Sequence, residues 1–248
     1  MIDPRESVIV KRLASVDRVV GFFSAKGGVG KTMTTALAGC ALAARGKRVG
    51  ILDLDMQGAS MHIVLGAPHG LPAEDKGILP VRVAADLTLM SAALFSGERA
   101  MALRGEEISH AMRELLAVTQ WGRLDYLLFD MPPGIGEEVL DCALLVPRIE
   151  AVMVSTPSVL SLSVVERLIG VLAETHIAIP GMIATMTRGD AQAVRTFARK
   201  VGVAFCGEIP FESNLEKAIG FPDRLVASDS ARALLSALGT MGMSGGTT

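Results

Sequence analysis

This sequence has little cysteine, few aromatic rings and no excess of either charge, and each shortage excludes something. Its three cysteines, Cys40, Cys142 and Cys206, stand far apart, with no C-x-x-C among them. That rules out a disulfide framework and predicts a reducing compartment, the cytoplasm. Eight Phe, one Trp and one Tyr leave few rings for stacking on exposed bases. The 24 Lys and Arg nearly balance the 26 Asp and Glu, for a net charge of −2. A nucleic-acid coat needs a basic stripe that displaces counterions, so no nucleic-acid partner is expected. The four histidines, at 62, 69, 110 and 176, share no ligand spacing, which argues against a zinc site.

Long apolar runs are missing too, although 50% of the residues are hydrophobic. A spanning helix takes about 20 consecutive apolar residues. The uncharged stretch 151–165 is interrupted by Pro157 and five Ser or Thr, and the stretch 32–44 is only 13 residues long. The opening MIDPRESVIVKRL carries acids and has no apolar signal-peptide core. Residues 228–243 contain one Arg and no Lys, unlike a basic helix that lies on a membrane surface. No stable membrane insertion is expected.

What is present is enough apolar side chain for a large core, arranged in short runs. Residues 18–24, 48–53, 125–130, 151–155 and 182–185 read as strands, with weaker candidates at 87–90 and 204–209. Their apolar residues are continuous rather than alternating, as in strands buried on both faces. Between them, 31–45, 106–120 and 162–174 carry helical marks, the first stopping at Gly46. This alternation predicts an α/β fold, a mostly parallel central sheet with helices on both faces. The expected organisation is a single domain over 1–248. Residues 1–17 form an N-terminal extension, 68–80 a long loop and 241–248 a flexible tail.

The first predicted strand runs into Ser24-Ala-Lys-Gly-Gly-Val-Gly-Lys-Thr32. Phosphate oxygens are met best by backbone N–H groups, and Gly27, Gly28 and Gly30 let the chain turn with no Cβ in the way. A helix opening at Lys31 adds its unpaired N–H groups and the positive end of its dipole. Lys31 supplies charge near the β- and γ-phosphates, and the Thr32 hydroxyl can ligate Mg²⁺. The strict G-x-x-x-x-G-K-[ST] pattern is not met, because Ala25 stands at its first glycine. The variant K-G-G-x-G-K-[ST] is met instead, with an additional lysine, Lys26.

Two further strands end in acids. Asp53 and Asp55 close the second, two residues apart, and alternation sends both to one side at the carboxyl edge where α/β folds bind ligands. Asp130 closes another and leads into Met-Pro-Pro-Gly-Ile-Gly136. An acid there is placed to serve Mg²⁺, and the stiff prolines leave Gly134 with an N–H expected to be free to sense a γ-phosphate.

The loop 24–32 resembles the deviant Walker A of the MinD/ParA/Mrp class of P-loop ATPases. Trp121-Gly-Arg-Leu-Asp-Tyr-Leu-Leu-Phe-Asp-Met-Pro-Pro-Gly-Ile-Gly136, the segment 53–66 and Gly207-Glu-Ile-Pro210 resemble its Mrp/ApbC branch, over roughly residues 18–225. The resemblance implies a MinD-like P-loop fold, ATP binding, slow hydrolysis to ADP, a homodimer and work in iron–sulfur cluster assembly with a client metalloprotein. It places Lys26, Gly27, Gly28, Val29, Gly30, Lys31, Thr32, Met33, Gly134, Thr185 and Pro210 on the nucleotide. It gives Thr32, Asp55 and Asp130 to Mg²⁺, makes Asp55 the residue that positions the water, and sends Lys26 across the dimer to the partner's phosphates.

Two departures bear on function. Thr185-Met186 stands where the branch has Asn-Met, the Asn helping to bind adenine, so looser base selection is expected. The branch's C-x-x-C is missing, because no cysteine lies between 142 and 206. Thiolates are the usual cluster ligands, so a bridging iron–sulfur cluster lacks its family holder. All three cysteines read as core residues, with Cys142 alone near the nucleotide end. Two other readings stay open: a MinD/ParA-like positioning ATPase, and an ATP-dependent activator of a specific metalloenzyme.

Overall fold

The computed structural model describes residues 3–68, 70–96 and 103–243. In chain order the first elements are α1 (Pro4–Leu13), β1 (Val16–Phe23), α2 (Lys31–Ala43), β2 (Val49–Asp53), α3 (Met61–Val64), β3 (Val81–Ala84), β4 (Leu87–Ser91) and α4 (Ala93–Ser96). There follow α5 (Glu106–Val118), β5 (Leu124–Asp130), α6 (Glu137–Leu145), β6 (Glu150–Ser155), α7 (Val159–Glu174) and β7 (Ala178–Thr187). The described chain closes with α8 (Gln192–Lys200), β8 (Phe205–Pro210), a 3₁₀ turn at Leu215–Ala218, α9 (Pro222–Val226) and α10 (Asp229–Thr240).

Eight strands form one sheet in the order β3-β4-β2-β5-β1-β6-β7-β8, in which only β3 and β4 pair antiparallel. Each strand expected from an apolar run is there. The edge strand β3 was not foreseen, and its half-exposed side chains explain why: Val-Arg-Val-Ala carries no continuous apolar run. The interior strands β1, β2, β5 and β6 are almost wholly buried, and separate hydrophobic cores lie on the two sides of the sheet. Helix α2 belongs to one core and packs against α10. Helix α5 belongs to the other and packs against α1 and α6.

The stretch read as an N-terminal extension is integral to that second core. Asp3 caps α1 through its own side chain, Pro4 follows at the first turn, and Ile9 and Leu13 are buried. Residues 16 and 17 already belong to β1. Of the stretch read as a tail, Met241 and Met243 are buried in the first core, while 244–248 lie outside the described residues, as does His69. Among the described residues no helix is long and apolar enough to cross a membrane.

Candidate functional site

Strand β1 occupies the middle of the sheet, so the loop after it emerges at the carboxyl edge between the ends of β5 and β6. Gly28 and Gly30 have φ of +76° and +81°, a left-handed backbone that only glycine adopts at little cost. Gly30 is the N-cap of α2 and no side chain closes that end, so the first-turn N–H groups are left for a ligand. A Cβ built on Gly27 or Gly28 meets nothing within 4 Å, so the loop borders open space. A cavity of about 320 Å³ lies there, lined by Lys26, Gly27, Gly28, Thr32, Asp55 and Pro133 among others. Lys26 is exposed, and Val29 turns its side chain into the core. The loop therefore offers the glycine cradle, helix terminus and cation that a polyphosphate needs, and it fits one.

Beneath the loop sits an acid that Lys31 and Thr32 share. The Lys31 ammonium donates to Asp130 Oδ1, and the Thr32 hydroxyl to Asp130 Oδ2 at 2.7 Å. Thr35, one turn further along α2, adds its hydroxyl to Oδ1 at 3.3 Å. Lys31 and Asp130 are both buried, so the pair is screened little by solvent. Thr32 and Asp130 together make an oxygen donor set suited to Mg²⁺. Sequence reasoning missed Thr35; nothing in the sequence set it apart from Thr34 beside it.

Asp53 and Asp130 are register partners on β2 and β5. Asp53 is fully buried and accepts from the Asp55 N–H (3.2 Å), the Met61 N–H (3.3 Å) and the Ser91 hydroxyl (3.1 Å). Burial, and next the charge of Asp130, push its pKa up to about 7, against the pull of Lys31. Asp53 and Asp55 do not share an environment as strand alternation implied. Strand β2 stops at Asp53, and Asp55 lies beyond it in a loop, half-buried, lining the cavity and accepting from the Gly58 N–H at 2.9 Å. Ser91, which seals Asp53, was also missed; only the pairing of β4 with β2 brings it there.

The Gly134 N–H, expected to be free, donates to the Ser24 carbonyl at 2.9 Å. Its φ of +105° belongs to glycine alone, so the loop after Asp130 is tied to the start of the phosphate loop. A second cavity, of about 260 Å³ and mostly apolar, also borders α2's first turns and is lined by Met33, Leu37, Thr185, Met186, Pro210 and Phe211 among others. Its mostly apolar lining suits a nucleotide base. Thr185 is not placed to read that base as a donor. It is buried, and its single hydroxyl proton is engaged by the Val29 carbonyl at 2.6 Å, with the Ser155 carbonyl at 3.2 Å.

The cysteines are all buried, on α2, α6 and β8. Cys142 does not face the nucleotide end as an available thiol: it is enclosed in the α5–α6 side of the core, and burial pushes its pKa up to about 12. Burial raises Cys40 to about 12 as well. Among the described residues no group of three or more His, Cys, Asp or Glu could hold a metal ion. The thiols present do not fit a bound iron–sulfur cluster.

This geometry has counterparts. Residues 15–241 match the ParA family model, described as the NUBPL iron-transfer P-loop NTPase. The chain belongs to this family. Among curated relatives, it is 33% identical over 250 residues to the iron–sulfur cluster carrier protein of Mycobacterium tuberculosis. The alignment covers 92% of this chain but 65% of that one, so the chain spans just under two thirds of its relative's length. A nucleotide-binding protein from Archaeoglobus fulgidus, solved in complex with ADP, superposes with a TM-score of 0.75 at 31% identity, over 92% of this chain and 95% of that one. The cell division ATPase MinD of Pyrococcus furiosus shares this chain's fold, with a TM-score of 0.69 at 20% identity over 91% and 98% of the two chains.

Proposed function

We propose that this chain is a MgATP-binding, slowly hydrolysing switch that handles iron–sulfur cargo for a client metalloprotein without holding the cluster on a family C-x-x-C. The observation that carries this reading is the Lys31–Asp130–Thr32 network lying under an open, glycine-lined loop. The backbone from Lys26 to Met33 wraps the phosphates, and Lys31 neutralises their charge. Thr32 and Asp130 would hold Mg²⁺, which would supply charge neutralisation to the phosphates. Asp55 faces the same cavity and orients the attacking water. Base and ribose lie in the apolar slot by Pro210.

Lys26 is exposed at the cavity rim. This supports a role toward the phosphates of a second copy, in a cytoplasmic homodimer that closes on ATP. Phosphate oxygens compete with Asp130 for Lys31, and a γ-phosphate competes with Ser24 for the Gly134 N–H. ATP binding is thereby coupled to movement of the loop after Asp130. The buried thiols also favour a second reading, in which the chain activates a specific metalloenzyme and never contacts the cluster itself.

Phosphate release measured with and without anaerobically added iron, sulfide and thiol tests the proposal. Slow, Mg²⁺-dependent ATP turnover with cargo-dependent modulation supports it. Turnover insensitive to cargo favours the second reading, and absence of ATP binding overturns both.

A further inference from the structure

We infer that Thr185 is a positioning residue for the phosphate loop and not a reader of the base. The inference rests on the nucleotide site proposed above.

Thr185 lies near the carboxyl end of β7, 156 residues from Val29, and donates its hydroxyl to the Val29 carbonyl at 2.6 Å. The peptide joining Val29 to Gly30 is planar and trans, as there are no cis peptides in the described chain. In such a unit the C=O and the following N–H point in opposite directions. Fixing the Val29 carbonyl on Thr185 therefore aims the Gly30 N–H away from β7. Gly30 is where the loop turns left-handed and α2 begins, so this plane orients the last amide before Lys31.

The neighbouring residue completes the clamp. Met186 has φ of +53°, a conformation a bulky side chain seldom adopts, and it lines both cavities. Its methyl lies 3.3 Å from where a Cβ on Gly30 would stand. The chain at β7 thus holds the loop's last turn by a hydrogen bond to Val29, with the Met186 methyl beside Gly30 leaving no room for a larger residue there. The Thr185 hydroxyl has one proton, and two buried carbonyls already compete for it. None is left to donate to a base.

The two roles separate by ligand. A base reader acts on adenine against guanine and is indifferent to a ligand without a base. A loop-positioning residue acts equally on every ligand that carries the phosphates. Calorimetry with ATP, GTP and inorganic tripolyphosphate on wild type, Thr185→Val and Thr185→Ser makes the comparison. Valine keeps the shape and removes the donor, leaving buried carbonyls unsatisfied, while serine keeps the donor.

Thr185→Val is expected to weaken all three ligands by a similar factor, about tenfold, with an unchanged ATP-to-GTP ratio. Thr185→Ser is expected to restore wild-type affinity, and thermal melting is expected to show every variant folded at the titration temperature, with Thr185→Val the least stable. Should Thr185→Val fail to fold, Thr185→Ala against Thr185→Ser carries the same contrast. Unchanged tripolyphosphate affinity in the donor-less variant overturns the inference, and so does a shifted ATP-to-GTP ratio. Wild type that binds neither ATP nor tripolyphosphate refutes the proposed function itself, whereas wild-type binding matched by Thr185→Val sinks this inference alone.

Discussion

Lys31 rests its ammonium on the carboxylate of Asp130, 99 residues further along the chain, and Thr32 rests its hydroxyl on the same group. One buried acid thus engages both side chains that a MgATP site takes from the start of α2. In the proposed site, phosphate and Asp130 would draw on the same cation, so binding would rearrange this network.

Asp55→Asn is expected to keep ATP affinity within about threefold and to lower turnover by about a hundredfold, the range for removing a group that acts on water. Asn keeps an oxygen for the Gly58 N–H but lacks the carboxylate charge. Paired calorimetry and phosphate-release assays check it. Turnover equal to wild type removes Asp55 from the catalytic role.

Lys26→Ala is expected to reduce ATP-dependent dimerisation more than ATP binding, because Lys26 is exposed where the cavity opens. Sedimentation with a slowly hydrolysed ATP analogue reads the difference. A wild-type chain that stays monomeric at saturating analogue contradicts the dimer.

The cysteines yield a chemical prediction. With Cys40 and Cys142 held up to about 12 by burial, the thiolate is scarce at pH 8, at about one part in ten thousand. Iodoacetamide should leave both unlabelled in the folded chain, and label all three cysteines after denaturation, as read by mass spectrometry. Anaerobic reconstitution should correspondingly give substoichiometric, easily chelated iron. About four irons per dimer, lost in Cys142→Ser, requires the α6 region to open in a way its packing does not suggest.

How much of this was legible in the sequence follows from where each signal lives. The interior strands announced themselves because strands covered on both faces must be apolar throughout. The phosphate loop did so because its glycines and lysines are contiguous. Strand β3 was silent because an antiparallel edge needs only half of its side chains buried. Helix α1 had a readable Asp3-Pro4 start, but its polar first turn reads equally well as an exposed extension. Helix α6 follows directly on the Pro-Pro-Gly loop, which obscured where it begins. In the site, the separate environments of Asp53 and Asp55 depend on where β2 stops, which alternation alone does not encode. The Thr185–Val29, Gly134–Ser24 and Ser91–Asp53 bonds join residues distant in the chain. Only the strand order brings them together.

The account depends most on Lys31 serving the phosphates. Lys31→Gln is the variant of choice: its amide can still donate to buried Asp130, whereas alanine would strand that carboxylate, a loss of about 3–5 kcal/mol in a buried pair. Calorimetric titration of MgATP is expected to show one site per chain in wild type. In Lys31→Gln, binding is expected to weaken by at least about a hundredfold, some 2.7 kcal/mol, while thermal melting shows a folded protein. Unchanged MgATP affinity in folded Lys31→Gln would contradict the assignment of this loop as the nucleotide site.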